Sequence, residues 1–300
     1  MTSATDRLVW LIDELVENDG DEECIIPGVR LFKRREKTGP QACLLASGLG
    51  VVLQGDKRLQ VGNESYQASA GHGVMSSADL PIQHMVTRAD TGSPYLGVWL
   101  ELDLKTVARL AADISPGARV CTNRQCLMIE PLDEGLLDAL SRLLGLLQTP
   151  ELREPLVPLI KQEIIVRLLN GPQGPLLRQL VTQGSNLQRI NAVLAQLRQN
   201  FSAPVDITAL ANRAHMSQSS FRQYFRIVTG MSPLQYLKQM RLLEARQLML
   251  TESLDAATAG LRVGYESPSQ FNREYARFFG EPPLRDIKRL RAGDEPGALR

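Results

Sequence analysis

Along the chain the apolar positions change period twice. Asp6 to Asp19 form a short amphipathic segment, after which Ile25 to Leu102 carry short apolar runs rich in Val, Leu and aromatics, such as Ala42 to Leu53 and Ser93 to Leu102. Gly55-Asp56, Gly62-Asn63, Gly71 to Gly73, Pro81 and Gly92-Ser93-Pro94 interrupt these runs. They recur roughly every 8 to 12 residues, the spacing of turns between short antiparallel strands. A small β-barrel or sandwich is predicted over 25–102. From Asp103 the period becomes helical, with Leu136, Leu140, Leu143, Leu144 and Leu147 on one helix face and Ile160, Ile164, Ile165 and Leu168 on the next. Leucine stripes in cores and in interfaces look alike, so these helices either cap the barrel or pair with a second subunit. Gly171-Pro172 and Gly174-Pro175 break the series. Gln183-Gly184-Ser185-Asn186 then reads as an interdomain connection, placed at 184–188. The first domain is expected over 1–183, with helices over 103–183.

Beyond this connection one pattern occurs twice. Ser217 to Pro233 reads SQSSFRQYFRIVTGMSP and Ser267 to Pro283 reads SPSQFNREYARFFGEPP, matching at an offset of fifty residues through Ser219/Ser269, Phe221/Phe271, Phe225/Tyr275, Gly230/Gly280 and Pro233/Pro283. A repeat of this quality is one structural unit used twice. Each copy follows a short helical stretch and a tight turn, and each opens on a serine able to accept a hydrogen bond from an unpaired N–H as an N-cap. Helix, turn, capped helix is the helix-turn-helix arrangement, expected over 206–228 and 255–279. At 100° per residue, Phe221, Tyr224, Phe225 and Val228 share one side, and Ser219, Arg222, Gln223 and Arg226 the other. In the second copy Phe271, Tyr275 and Phe278 pack, and Ser269, Asn272 and Arg273 project. Arg pairs with guanine, and Asn or Gln with adenine, in the major groove. Arg226 and Arg277 lie later in their helices and are assigned to phosphates, with Ser217 and Ser267 at the helix starts. A long helix, Pro233 to Thr251, separates the copies and is suited to hold two reading heads about one DNA turn apart.

Charge sharpens this reading. Residues 1–186 carry 18 Lys+Arg against 23 Asp+Glu, whereas 187–300 carry 16 against 10, so the net charge of +1 hides a basic C-terminal part suited to a polyanion. The cysteines at 24, 43, 121 and 126 lack the paired spacing of a zinc site and read as reduced, packed thiols. Only His72 and His84 lie in the barrel, without a His-x-His element, and no phosphate loop, His-Glu-x-x-His or nucleophile elbow occurs. An enzyme is therefore disfavoured, and no metal or cofactor is implied. The acidic opening stretch and the absence of a long apolar run predict a cytoplasmic protein.

The motifs LAxxAHMSxxxFxxxF, GMSPxxYLxxxRLxxA and VGYESxSxFxxxYxRFFGxPP, between Ile190 and Arg291, resemble the AraC/XylS family of bacterial transcription regulators. The resemblance implies a DNA-binding domain over 189–292. It makes Ser219, Arg222 and Gln223 the base-reading residues of the first head, and Ser269, Asn272 and Arg273 those of the second. Two departures point to a looser second head. Ala259-Gly260 replaces an apolar pair, where glycine costs about 1 kcal/mol against alanine in a helix, and Asp286-Ile287 replaces the usual Tyr-Arg. Residues 293–300 are expected to be a disordered tail.

VVLQGDKRLQVGNESYQASAG, SSADLPIQHMVTRA and SPYLGVWLELD are similar to the AraC-type N-terminal regulatory domain, built like a cupin barrel. The expected fold class is thus α+β in two domains: a cupin-like antiparallel barrel with flanking helices, and an all-α domain with two helix-turn-helix units. A small-molecule effector is implied, with Cys43, His84 and Trp99 as candidate lining residues; alternation alone leaves open which face points inward, and a barrel filled by its own side chains is the alternative. The expected partners are double-stranded DNA, the effector and RNA polymerase, with a homodimer as a further candidate. The expected role is activation.

Overall fold

The computed structural model describes residues 3–17, 19–113 and 126–292. Helix α1 (Ala4–Leu15) is started by a capping box between Ser3 and Asp6 and buries Leu8, Leu11 and Ile12. Ten strands follow. β1 (Gly20–Glu23), β2 (Val29–Arg34), β9 (Tyr95–Glu101), β4 (Gly48–Gln54), β7 (His72–Ser76) and β10 (Leu127–Pro131) form one sheet in that order. β3 (Gln41–Leu45), β8 (Leu80–Arg88), β5 (Asp56–Val61) and β6 (Glu64–Ser69) form the other, and every pairing is antiparallel. β1 and β10 lie outside the 25–102 stretch marked by turn signals. β10 closes the large sheet by pairing with β7.

The small sheet has two different faces. Gln41, Cys43 and Leu45 of β3 and Ile82, His84 and Val86 of β8 are buried towards the barrel interior. Ala42, Gln83 and Met85 alternate with them on the outside. Helices α3 (Glu134–Gly145) and α4 (Pro150–Asn170) pack on each other, with α1 against α3. Leu136, Leu140, Leu143 and Leu144 and the isoleucines of α4 are buried within the single chain, where the two helices pack on each other and on neighbouring helices, so intramolecular packing accounts for both stripes. α2 (Leu104–Asp113) and α5 (Gly174–Val181) complete this layer.

α6 (Asn186–Gln199) begins at an N-cap in which Ser185 Oγ accepts from the Gln188 N–H. α7 (Ile207–Arg213) and α8 (Gln218–Thr229) make the first helix-turn-helix, α9 (Pro233–Thr251) the strut, α10 (Ala256–Arg262) and α11 (Pro268–Phe279) the second, and α12 (Pro283–Arg291) the closing helix. One apolar cluster runs from the barrel through the first helix-turn-helix to Met240. A separate one, Leu242 to Leu290, belongs to the second. The two meet at α9 and Phe201. Residues 293–300 and Cys121 lie outside the described residues; Cys24, Cys43 and Cys126 form no disulfide. No described helix is long and apolar enough to cross a membrane.

Candidate nucleic-acid interface

Both recognition helices start at the predicted serine caps. Ser217 Oγ accepts from the Ser220 N–H and Ser267 Oγ from the Gln270 N–H, so each hydroxyl already holds the first turn of its helix. Ser217 also donates to Ser220 Oγ at 3.0 Å. Apolar side chains at three- and four-residue spacing fix the rotation of each helix. Phe221 and Phe225 are fully buried in α8, as are Phe271 and Tyr275 in α11. Phe225 meets both Phe221 and Tyr236 edge-on, with ring centroids 5.5 and 5.7 Å apart. The rotation leaves Ser219, Arg222, Gln223 and Arg226 exposed on α8, and Ser269, Asn272, Arg273 and Arg277 exposed on α11.

The basic residues of this domain fall into two groups. Arg241 donates to the carbonyls of Phe201, Ser202, Ala203 and Gly264, tying the α6–α7 connection to the second turn. Lys238 pairs with Glu274, Arg262 with Glu252, and Arg246 and Arg289 with Asp286. The side chains of Arg222, Arg226, Arg273 and Arg277, by contrast, like those of Arg213, Arg285 and Lys288, make no hydrogen bond or ion pair with any described residue. The guanidinium groups of the first four are open to solvent and available to phosphates or base edges.

The repeat is closer than the fifty-residue offset suggests. In the first turn Ala214, His215 and Met216 donate to the carbonyls of Leu210, Asn212 and Ala211. Val263, Gly264 and Tyr265 donate to those of Ala259, Leu261 and Gly260, the same bonds at an offset of forty-nine. Left-handed His215 (φ 52°) and Gly264 (φ 91°) are the corresponding residues. One residue, Glu266, is inserted before the second cap.

The two departures of the second copy have structural roles. A Cβ on Gly260 would lie 2.9 Å from Phe271 Cγ, so glycine is what lets the buried ring close on the first helix. Asp286 is fully buried and gathers three partners. Tyr275 Oη donates to Oδ2 at 2.6 Å, Arg289 Nη2 to Oδ1 at 2.7 Å and Arg246 Nη2 to Oδ1 at 3.0 Å, while Arg246 also lies over the Phe279 ring. Arg246 Nε is 2.9 Å from Oδ2 but poorly aligned, so Nη2 supplies the directional contact. Burial and the adjacent carboxylate hold the Tyr275 phenol far above its ordinary pKa. Both positions from which a looser second head is expected take part in a glycine-fitted, carboxylate-centred core. Sequence periodicity misses Arg241 and Arg246 because both sit on a helix whose buried residues run almost all the way round.

In the barrel, Cys43 on β3, His84 on β8 and Trp99 on β9 line one cavity of about 50 Å³ with Gln41, Phe32, Arg34, Lys57 and Tyr95. Gln41 and His84 are register partners. Among the described residues the Gln41 amide, His84 Nδ1 and Trp99 Nε1 are buried without hydrogen-bond partners. Burial first, and then Lys57 and Arg34, hold the His84 pKa well below its ordinary value, which favours the neutral imidazole. Gln41 belongs to the same face as Cys43 and is legible only through its i, i+2 spacing. Among the described residues no three His, Cys, Asp or Glu side chains converge to hold a metal ion.

The family model described as AraC-type transcriptional regulator N-terminus matches residues 25–176, and a helix-turn-helix domain model matches 210–289. The chain belongs to the AraC-type transcriptional regulators. Among its relatives, the RCS-specific HTH-type transcriptional activator RclR of Escherichia coli (strain K12) is 37% identical over 103 residues, which are 34% of this chain and 36% of RclR. The HTH-type transcriptional regulator ExsA of Pseudomonas aeruginosa is 27% identical over 132 residues, 44% of this chain and 47% of ExsA. The chain thus spans less than half the length of these two AraC-type relatives. The thermoregulatory protein LcrF of Yersinia pestis is 23% identical over 79% of this chain and 87% of its own. An apo form of ToxT from Vibrio cholerae strain SCE256, carrying one substitution, superposes with a TM-score of 0.58 over 90% of this chain and 99% of that one, at 10% identity, a likeness of fold alone.

Proposed function

We propose that this AraC-type chain is a sequence-specific DNA-binding activator whose two recognition helices read neighbouring major-groove segments and whose barrel binds a small-molecule effector. The observation that carries the DNA reading is the equivalent pair of exposed faces, each bearing two arginines whose side chains pair with no described residue, at matching places of the repeat. Ser219, Arg222 and Gln223 read bases from the first head, and Ser269, Asn272 and Arg273 from the second. Arg226 and Arg277 meet phosphates, with Ser217 and Ser267 beside them at the helix starts. Residues 1–183 act as the regulatory part and 189–292 as the DNA-binding part, joined at 184–188. RNA polymerase is the further partner, a homodimer the proposed assembly, and the cytoplasm the place of action; the chain acts by binding rather than as an enzyme. RclR is named an activator, which supports the direction of regulation.

The effector reading rests on the cavity's unpartnered polar groups at Gln41, His84 and Trp99, with Cys43 beside them. A ToxT structure is described as bound to an unsaturated fatty acid, which supports a ligand-binding role for the related fold. The small cavity suits a ligand of few heavy atoms unless side chains move. Its strands β3 and β8 carry helix α9 on their outer face, so occupancy inside the barrel acts on the layer that holds the reading heads.

The test is binding of the full chain to duplexes selected from a random pool, compared with scrambled DNA over a range of salt. Arg222→Ala and Arg273→Ala are expected to cost about 1 to 3 kcal/mol on the selected site and much less on scrambled DNA. Arg226→Ala and Arg277→Ala should weaken both DNAs alike and lower the salt slope by about one each. Equal losses on both DNAs for Arg222→Ala and Arg273→Ala would remove the base-reading assignment.

A further inference from the structure

One sheet touches the far ends of both recognition helices. At the first head, the β5–β6 turn lies against the end of α8: a Cβ on Gly62 would be 2.6 Å from the Gly230 carbonyl oxygen, and one on Gly230 would be 3.2 Å from Val61 Cγ1. At the second, Gln83 Nε2 of β8 donates to the Phe278 carbonyl in the last turn of α11, at 2.6 Å. The register partner of Gln83 is Ala42 of β3, whose carbonyl accepts from Arg246 Nη1 at 3.4 Å. Arg246 in turn holds Asp286 of α12. Strands β5, β6, β8 and β3 belong to the same four-stranded sheet.

The repeat gives this placement its meaning. Gly230 and Gly280 are equivalent and end α8 and α11, so Phe278 and the residues beside Gly230 lie at corresponding places, remote from the N-terminal turns that carry Ser219 and Ser269. Between the heads the chain supplies α9, with Arg241 joining the α6–α7 connection to Gly264 and Lys238 pairing with Glu274 beside it, and the two apolar clusters separate within that helix, after Met240 and before Leu242, meeting otherwise at Phe201. These links all lie close to α9, so they hold the near ends of the second head and leave the far end of α11 to be placed by other contacts. Contacts from one sheet to the far ends of α8 and α11 supply that placement.

We infer that the four-stranded sheet of the barrel is a platform that sets the relative placement of the two heads, with Gln83 as the positioning residue for the second, and so fixes the spacing of the two DNA boxes the protein accepts. The inference rests on the reading of the two helices as DNA-reading heads. Gln83 touches no DNA in this account. It acts through Phe278, so its loss leaves each box's own sequence preference intact and relaxes only the distance between boxes.

The experiment is selection of random duplexes by the full-length chain, followed by competition between sites whose two boxes are moved apart or together by one and two base pairs. Wild type is expected to recover both boxes at one spacing. Gln83→Ala should recover the same boxes with discrimination against shifted spacings reduced about fivefold, the equivalent of one part-buried hydrogen bond. Gln83→Glu, which keeps the bulk but turns a donor into a carboxylate facing a carbonyl, should relax spacing further. Asn191→Ala serves as the control, because it removes a bond of similar length to the barrel, at the Ser77 carbonyl, from a helix that reads no DNA; it should leave the spacing preference at the wild-type value. Unchanged discrimination in both Gln83 variants, or equal relaxation in Asn191→Ala, overturns the platform. Recovery of only one box by wild type overturns instead the two-headed reading on which it rests.

Discussion

Replacing Asp286 with alanine is expected to destabilise the second helix-turn-helix by about 3 to 5 kcal/mol, the range for removing one partner of a buried ion pair. The carboxylate is fully buried and joins Tyr275 of α11, Arg246 of α9 and Arg289 of α12. Its loss strands the Tyr275 hydroxyl and the largely buried Arg246 guanidinium at once. Arg289 retains Glu281 and is about a third exposed, which places the expected cost at the lower end of the range. Asp286→Asn keeps the shape and an acceptor for Tyr275 but removes the charge, and should fall between wild type and alanine. Because this core is separate from the barrel's, the loss should appear as an earlier unfolding step confined to the C-terminal helices. Hydrogen exchange of α10 to α12 reads it directly; if Asp286→Ala left their protection unchanged, the cluster would not be holding the second head.

Phe225→Ala is expected to cost about 3 to 5 kcal/mol, the usual range for emptying a buried aromatic site. Phe225 is fully buried between Phe221 and Tyr236, and its two edge-on contacts add to the area lost from the core. Here the apolar cluster continues into the barrel. Tyr236, one of the two ring partners, also donates from its hydroxyl to the Asp79 carbonyl of the barrel at 3.0 Å. The loss should therefore lower the main unfolding transition of the chain, seen by far-ultraviolet dichroism in denaturant, rather than open one head early. A separate early step in Phe225→Ala would show that the first head does not share its core with the barrel.

The contrast between these residues shows what a single sequence discloses. Periodicity places Phe221, Phe225, Phe271 and Tyr275 in cores and marks both serine caps, because a helix surface obeys a fixed angle per residue. It cannot display contacts between positions far apart in the chain. Gly260 looks like a flaw until the Phe271 ring is seen against it, and Asp286 looks like a lost motif position until Arg246, forty residues earlier, is found beside it. The one-residue insertion at Glu266 is hidden because the first helices carry Leu210-Ala211 and Ala259-Gly260, too small and dissimilar a pair to reveal a shifted register. In the barrel, alternation groups Gln41 with Cys43 but is symmetric between inside and outside; only the closing of two sheets decides it. β10, a strand of five residues just beyond the undescribed segment 114–125, is too short to announce itself by alternation.

The most direct test of the two-headed reading is methylation interference at guanine N7 on the selected site, using the full-length chain and its Arg222→Ala and Arg273→Ala variants. N7 is the acceptor that a guanine-reading arginine needs in the major groove. The expected result is two clusters of interfering guanines about one helical turn apart on one face of the duplex. Arg222→Ala should abolish interference in one cluster and leave the other, and Arg273→Ala should do the reverse. A single cluster, or two variants that lose the same one, would contradict two heads reading two groove segments.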